Sequence, residues 1–506
     1  MSSVATLPQF TLELDGSSLP QGSVEALTEV RVQQALSQPA LCELTFQIGR
    51  DPLPGIVSIS TGARLRLTVA PGASLLFDGE VTAIEYTYEP AYQRVIRIRG
   101  YDVLHRLRKR QPVRVHVQIT PADLSRDLVA DLSLTVIASD TGPMIPRIIQ
   151  YKQSDFEMLA EVTRRLGLYF TLRDNVLHLI TLEGINDPIP LKLGTSLLEA
   201  RVEVNAESAC RSVTARGWDA ARVEEHQGVA EQARSGRDVT IQAAPGNFGE
   251  DAKRAVVGEV LPDDIHAEAV AQAELDLRTA KEVTFWGIAE GNAELMPGTR
   301  VNVAGVAPAL EGQYSLTTVT HLFNRKAGFT SEISTAPSTF KSYARPPSAT
   351  WGLVTQVDDP EHLGRVQVSL PALGDVETGW LGVLAAGAGG GKGIVAMPDV
   401  GDQVLVLFLD GDTSSGLVLG GLYGLHGPED YGVEGSSIRR YTFCTSGGQK
   451  IRLDDTGQSI RIENKGGSFV ELSPEKVQLH SEVNLEIDAP GREVTITGKT
   501  IDFRQG

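Results

Sequence analysis

The chain has 506 residues, 41% of them hydrophobic and 22% charged, and a formal net charge of -18. That acidity argues against a nucleic-acid binder, which needs a basic face to neutralise phosphate; the one dense basic run, Arg106 to Arg110, stands alone. The cysteines Cys42, Cys210 and Cys444 are odd in number and far apart, so neither a disulfide framework nor a thiolate metal site is read from them.

Residues 1–115 alternate between apolar and polar positions in FTLELDG, LCELTFQIG, ARLRLTVAPG and RVIRIRGYD, separated by glycine and proline. This period of two predicts half-buried antiparallel strands closing into a first barrel-like domain. Residues 116–195 form a helical and hairpin subdomain. Thr120 caps a helix with Pro121 at its first position, and Leu124, Leu128 and Leu132 share a face. Ser154 and Glu157 have capping-box spacing, Phe156, Leu159, Ala160 and Leu166 form an apolar stripe, and Gly167 ends that helix. A hairpin turning at Asp174-Asn175 follows.

Strands resume over 196–340 as a second barrel. A polar stretch from His226 to Asp251 interrupts it, as does a helix from about Asp263 to Ala280 with Ile265, Ala269, Ala273 and Leu277 on one face. Residues 341–350 read as a linker, 351–424 as a glycine-rich strand domain and 425–448 as a neck. The tail, 449–506, is a run of short strands, each with two apolar residues two apart. The pairs are Ile451/Leu453, Ile460/Ile462, Val470/Leu472, Val477/Leu479, Leu485/Ile487, Val494/Ile496 and Ile501/Phe503. Such narrow faces cannot form a core alone. From the residues, both a trimeric prism and a single-chain antiparallel meander are open.

Three segments resemble one family. WGLVTQVDDPEHLGRVQVSLPALGDVETGW and GKGIVAMPDVGDQVLVLFLDGDTSSGLVLGGLYG resemble the OB-fold module of phage baseplate spikes and type VI VgrG proteins. The marks are Val357 to Asp359, Gly364-Arg365-Val366, Trp380, Met397-Pro398, Val400 to Val404, Gly411-Asp412 and Gly420 to Tyr423. Residues 1–345, above all SDFEMLAEVTRRLG with its hairpin, resemble the phage late control protein D hub, and the tail resembles the β-helical needle. The resemblance implies a mainly β chain: two barrel-like hub domains with a few helices, an OB-fold collar, and a C-terminal triple-stranded β-helix formed by a homotrimer. It implies partnership with a hexameric inner tube protein, baseplate hub components, a PAAR-type tip protein and, in some members, effector cargo. A membrane enters only as the target of puncture, after synthesis in the cytoplasm and assembly into a contractile particle or phage-like tail. The tail pairs from Ile451 to Ile496 would build the needle core, and Ile501 with Phe503 would meet the tip protein.

No catalytic, cofactor or metal residue is assigned. Between His426 and Gln449 there is no room for the lysozyme domain some spikes carry, and the chain stops within the repeat, so no effector extension is expected. GAGGGKG, Gly387 to Gly393, lacks the Ser or Thr of a phosphate loop, and His266-Ala-Glu268 has no second histidine at metal-ligand spacing. Two other function classes stay open: an envelope-degrading enzyme with its site in 200–345, and an OB protein that binds carbohydrate or nucleic acid.

Overall fold

The computed structural model describes residues 10–504 except 49–55, 57–58, 71–73, 89, 91–93, 220–221, 245–251, 327, 339–346, 410–415 and 425–426. Gly411-Asp412 and most of the expected linker therefore lie outside the described residues. Two compact units divide at Gly421 and Leu422.

The first unit is built on an 11-stranded sheet. Strands Phe10–Leu14 to Arg94–Asp102 occupy one side, and Leu197–Val204, Val283–Glu290, Thr318–Asn324 and Gly328–Ser334 the other. The seam is the antiparallel pairing of Leu27–Ala35 with Thr318–Asn324, which sets His321 opposite Val32. Strands from both expected barrels thus share one sheet, although nearly 300 residues separate the pairing partners. Alternation in Arg94–Asp102 turns Ile96 and Ile98 into a core with Leu44, Phe46 and Leu65. Buried His321 sits at the seam, its Nε2 3.0 Å from the Leu295 carbonyl and its Nδ1 2.9 Å from the Ser331 hydroxyl.

Local signals in 116–195 fold as the residues dictate. Thr120 accepts from the Asp123 N–H at the start of Pro121–Val129, whose Leu124 and Leu128 are buried. Ser154 and Glu157 form a reciprocal capping box on Asp155–Arg165, and Gly167 follows with φ +70°. The long helix is Asp264–Glu282, capped by Asp263. Its buried residues include Ala267, Val270, Ala271, Leu275 and, from the expected stripe, Ala273, whereas Ile265 is exposed, so the buried face only partly overlaps the expected stripe. The cause is the sheet beneath: Gly228 lies so close that a Cβ there would overlap the backbone of Ala267 and Glu268. The stretch expected to interrupt the strands begins as strand Glu224–Ala230, paired with Ser212–Asp219.

Residues 348–421 form a barrel. Ser348–Gln356 pairs with both Gln403–Phe408 and Arg365–Leu370, closing the sheet around Val354, Val366, Val368, Val404, Val406 and Phe408. The second unit contains a five-stranded antiparallel meander: Arg440–Cys444, Lys450–Asp454, Ser459–Glu463, Phe469–Leu472 and Val477–His480. Among the described residues no helix is long and apolar enough to cross a membrane.

Candidate assembly interface

Every strand of the meander is amphipathic, and its apolar face is the bare one. Antiparallel register sets Ile451 opposite Ile462 and Leu453 opposite Ile460. It then sets Ile462 opposite Val470 and Ile460 opposite Leu472, and finally Val470 opposite Leu479 and Leu472 opposite Val477. The result is a ladder two residues wide with no charge on it. Its rungs are well exposed in the single chain, from 38% at Val470 to 73% at Val477. Cross-strand apolar neighbours stabilise the sheet only modestly while one face of each remains in water.

The ladder begins one strand before the sequence pattern suggested. Tyr441 faces Leu453 and Phe443 faces Ile451, with Tyr441 64% and Phe443 60% exposed. The signal was present as the alternation RYTFC, but it fell in a stretch read as neck. At the other end, the expected strands are not formed within one chain. Leu485, Ile487, Val494, Ile496, Ile501 and Phe503 are exposed, and among the described residues no strand is assigned beyond His480. A strand needs a hydrogen-bonded neighbour, and the single chain supplies none there.

The opposite face is satisfied from within. Arg461 pairs with Glu463 at 2.7 Å and Glu471 at 3.2 Å, and its guanidinium lies 3.8 Å from the Phe469 ring centroid. Phe469 stacks on His480 at 5.0 Å. Before the first strand, Asp430 accepts from Arg440 Nε at 3.2 Å and from the Gly432 N–H at 2.9 Å. Arg440, and next the Gly432 amide, hold that carboxyl down, to about 2. Arg461, Arg440 and Asp430 are thus partnered within the chain, and the apolar ladder is not.

The barrel motif has its own geometry. Buried Asp359 accepts the backbone N–H of Glu361 at 3.1 Å and Leu363 at 2.9 Å, and a two-pronged pair from Arg365 at 2.9 and 2.6 Å. The Arg365 guanidinium keeps its carboxyl well below the usual carboxylate range. These bonds fold the loop between two strands. In the glycine-rich loop Gly389 and Lys392 bond each other's backbone at 3.1 Å, and no helix follows to receive a phosphate.

The fold brings His226 and His266 to neighbouring aspartates, at 3.3 Å from Asp264 and 2.7 Å from Asp263. Among the described residues no group of His, Cys, Asp or Glu is arranged to hold a metal ion. A polar groove of about 440 Å³ lies over Glu199, Arg201, Glu203 and Trp286.

Comparison with known proteins agrees with this architecture. Residues 350–423 match the type VI secretion system/phage-baseplate injector OB domain, and residues 68–324 match the Alg8 N-terminal domain. The E. coli c3393 protein, described as a type VI secretion component similar to the T4 tail proteins gp27 and gp5, is 13% identical with TM-score 0.53 over 81% of this chain and 99% of that one. A chain of the Francisella PdpA–VgrG complex is 8% identical with TM-score 0.55, covering 94% of this chain and 88% of that one. The 43 kDa tail protein of prophage MuSo2 from Shewanella oneidensis is 15% identical with TM-score 0.50, covering 65% and 97%.

Proposed function

We propose, for a chain that belongs to the Alg8 N-terminal domain family and is a VgrG-like baseplate spike protein, that three copies join along the bare ladder as the spike of a contractile injection system. The observation that carries this reading is the charge-free face running from Tyr441 and Phe443 to Val477 and Leu479. A sheet with one bare apolar face is stable only against another such face. Three copies turned about one axis cover all three faces at once and close the prism. Moving each half-exposed aliphatic into that core contributes about 1 kcal/mol, repeated on every rung and in every copy.

The role is mechanical. Residues 1–340 form the hub that seats on a hexameric inner tube and baseplate components, 351–424 the collar and 449–506 the needle. Sheath contraction drives the assembly through the target envelope. The chain does this without an active site of its own; toxic activity, where present, travels as bound cargo. Leu485, Ile487, Val494 and Ile496 continue the needle core once neighbouring chains supply strand partners, and Ile501 with Phe503 presents the last layer to a PAAR-type tip protein. The chain is made in the cytoplasm and leaves with the particle.

Native mass spectrometry of the full chain tests the reading. Three copies are expected, and a stable monomer at micromolar concentration refutes it.

A further inference from the structure

A small sheet outside the barrel of residues 348–421 reaches across to it. Arg114–Ile119 and Ile145–Gln150 pair antiparallel, with Arg147 opposite Val117, and form a two-stranded sheet of their own. An isolated pair of strands is at best marginally stable in water, so it needs an anchor. The anchor here is a polar network around buried Gln150 and buried Asp155. Arg114 donates to Gln150 at 2.9 Å and to Asp155 at 2.7 Å, and Gln150 donates to Asp155 at 2.9 Å. Losing any of these bonds leaves a buried polar group unsatisfied, so the anchor is firm. Asp155 opens the helix Asp155–Arg165, whose Phe156 ring lies 4.8 Å from the Arg108 guanidinium. That guanidinium also stands 5.4 Å from the ring of Tyr101, which belongs to the 11-stranded sheet.

The pair of strands meets the barrel at two residues. Arg147 Nη1 donates to the Glu377 carbonyl at 3.1 Å. Val113 lies against Gly374, where an added Cβ would stand 3.8 Å from the Val113 Cβ. A further contact comes from Arg222, between the paired strands Ser212–Asp219 and Glu224–Ala230, whose guanidinium is 3.9 Å from the Glu361 carboxylate. These contacts bracket one barrel strand: Glu361 precedes Arg365–Leu370, and Gly374 and Glu377 follow it. The outward positions of that strand, Arg365, Gln367 and Ser369, are half-buried. On other strands of the barrel the outward residues Trp351, Leu353 and Leu419 stay exposed.

We infer that the strands Arg114–Ile119 and Ile145–Gln150 are a strut that fixes the tilt of the barrel on the rest of the first unit, with Arg147 as the positioning residue. A body joined to its support by one crossing of the chain can pivot about that crossing. Contacts at both ends of one strand remove the freedom. Arg222 and Glu361 are each about half exposed, and such a pair is screened by salt, which leaves the strut as the firmer hold. Arg147 bonds a backbone carbonyl, so its hold does not depend on the Glu377 side chain. The mechanical use of the strut rests on the spike reading above, since a push reaches the needle undiverted only through a barrel that cannot tilt; the contact itself does not rest on it.

The test is a disulfide in the full chain. Val113→Cys with Gly374→Cys places two Cβ atoms at a separation central to the disulfide range. Cys444→Ser removes the exposed native thiol, Cys42 and Cys210 being buried. Mild oxidation is expected to link the two positions within one chain. Arg147→Ala should slow that step about fivefold, the weight of one hydrogen bond. Arg147→Lys, which keeps a donor, should restore part of the rate, and Glu377→Gln should leave it unchanged. Gly374 has φ +74°, a strained setting for cysteine, so Val113 replaced by photoreactive benzoylphenylalanine is the second probe and should crosslink into residues 371–379. A folded chain that gives neither link, or a disulfide rate indifferent to Arg147→Ala, overturns the inference. Links that join tagged to untagged chains in a coexpressed sample also overturn it, because strut and barrel would then belong to different copies. Native mass spectrometry on the same sample keeps the two readings apart: an in-chain link in a stable monomer upholds the strut and refutes the spike.

Discussion

Ile462→Asp separates the proposed needle trimer from the isolated fold. Ile462 sits mid-ladder, opposite Ile451 on one side and Val470 on the other, and is 52% exposed in the single chain. In a monomer the new carboxylate stays largely in water, so the cost there is small. In the prism three carboxylates would meet near one axis. About half of each isoleucine's burial is lost, roughly 1 kcal/mol per copy and ~3 kcal/mol per trimer. Burial of each carboxylate adds several kcal/mol, which brings the total to on the order of 10 kcal/mol, about seven decades in the assembly constant. Native mass spectrometry at micromolar concentration should then show monomer at pH 8. Partial recovery of trimer is expected near pH 5, because a carboxyl that is costly to bury charged takes up a proton instead. Gln478→Lys, beside Glu471 on the partnered face, should leave the trimer intact. If Ile462→Asp stays trimeric at pH 8 with an unchanged guanidinium midpoint, the ladder does not face the axis and the reasoning fails.

Other substitutions probe the first unit. Burial of His321 holds its pKa at about 4, below the usual 6.5, so the unfolded chain binds a proton between those values and the native state does not. The stability this contributes is fully present above pH 6.5 and should fall by up to about 3 kcal/mol as pH drops to 4, a slope His321→Gln should remove in guanidinium titrations at several pH values. Gly228→Ala should destabilise this unit by about 3 kcal/mol in thermal or denaturant unfolding, because Asp264–Glu282 must move to admit the methyl group. Ser154→Ala should cost about 1 kcal/mol in the same assay by removing one half of the capping box, with Ser154→Asp restoring most of it.

Much of the architecture was legible because it is local. The capping box at Ser154 and Glu157, the turn at Asp174-Asn175 and the paired apolar positions from Ile451 to Leu479 each depend on residues within a few positions of one another. So does the Asp359–Arg365 loop, which is folded by hydrogen bonds between residues six positions apart. The buried face of Asp264–Glu282 overlaps the expected one only in part, because alanines populate two adjoining stripes, and Gly228, on a strand distant in sequence, is what the helix packs against. Tyr441 and Phe443 were missed because a single alternating strand next to a glycine-rich neck is too short a signal without its register to Leu453 and Ile451.

By itself, then, the sequence determined strand periodicity and helix ends, since each follows from the side chain's own preference and that of its near neighbours. Only the tertiary structure decided that Leu27–Ala35 and Thr318–Asn324 share a seam, and that the barrel is apolar on its outside as well as its inside. Which of two apolar faces meets water is a property of the closed sheet, and alternation alone carries no information about it.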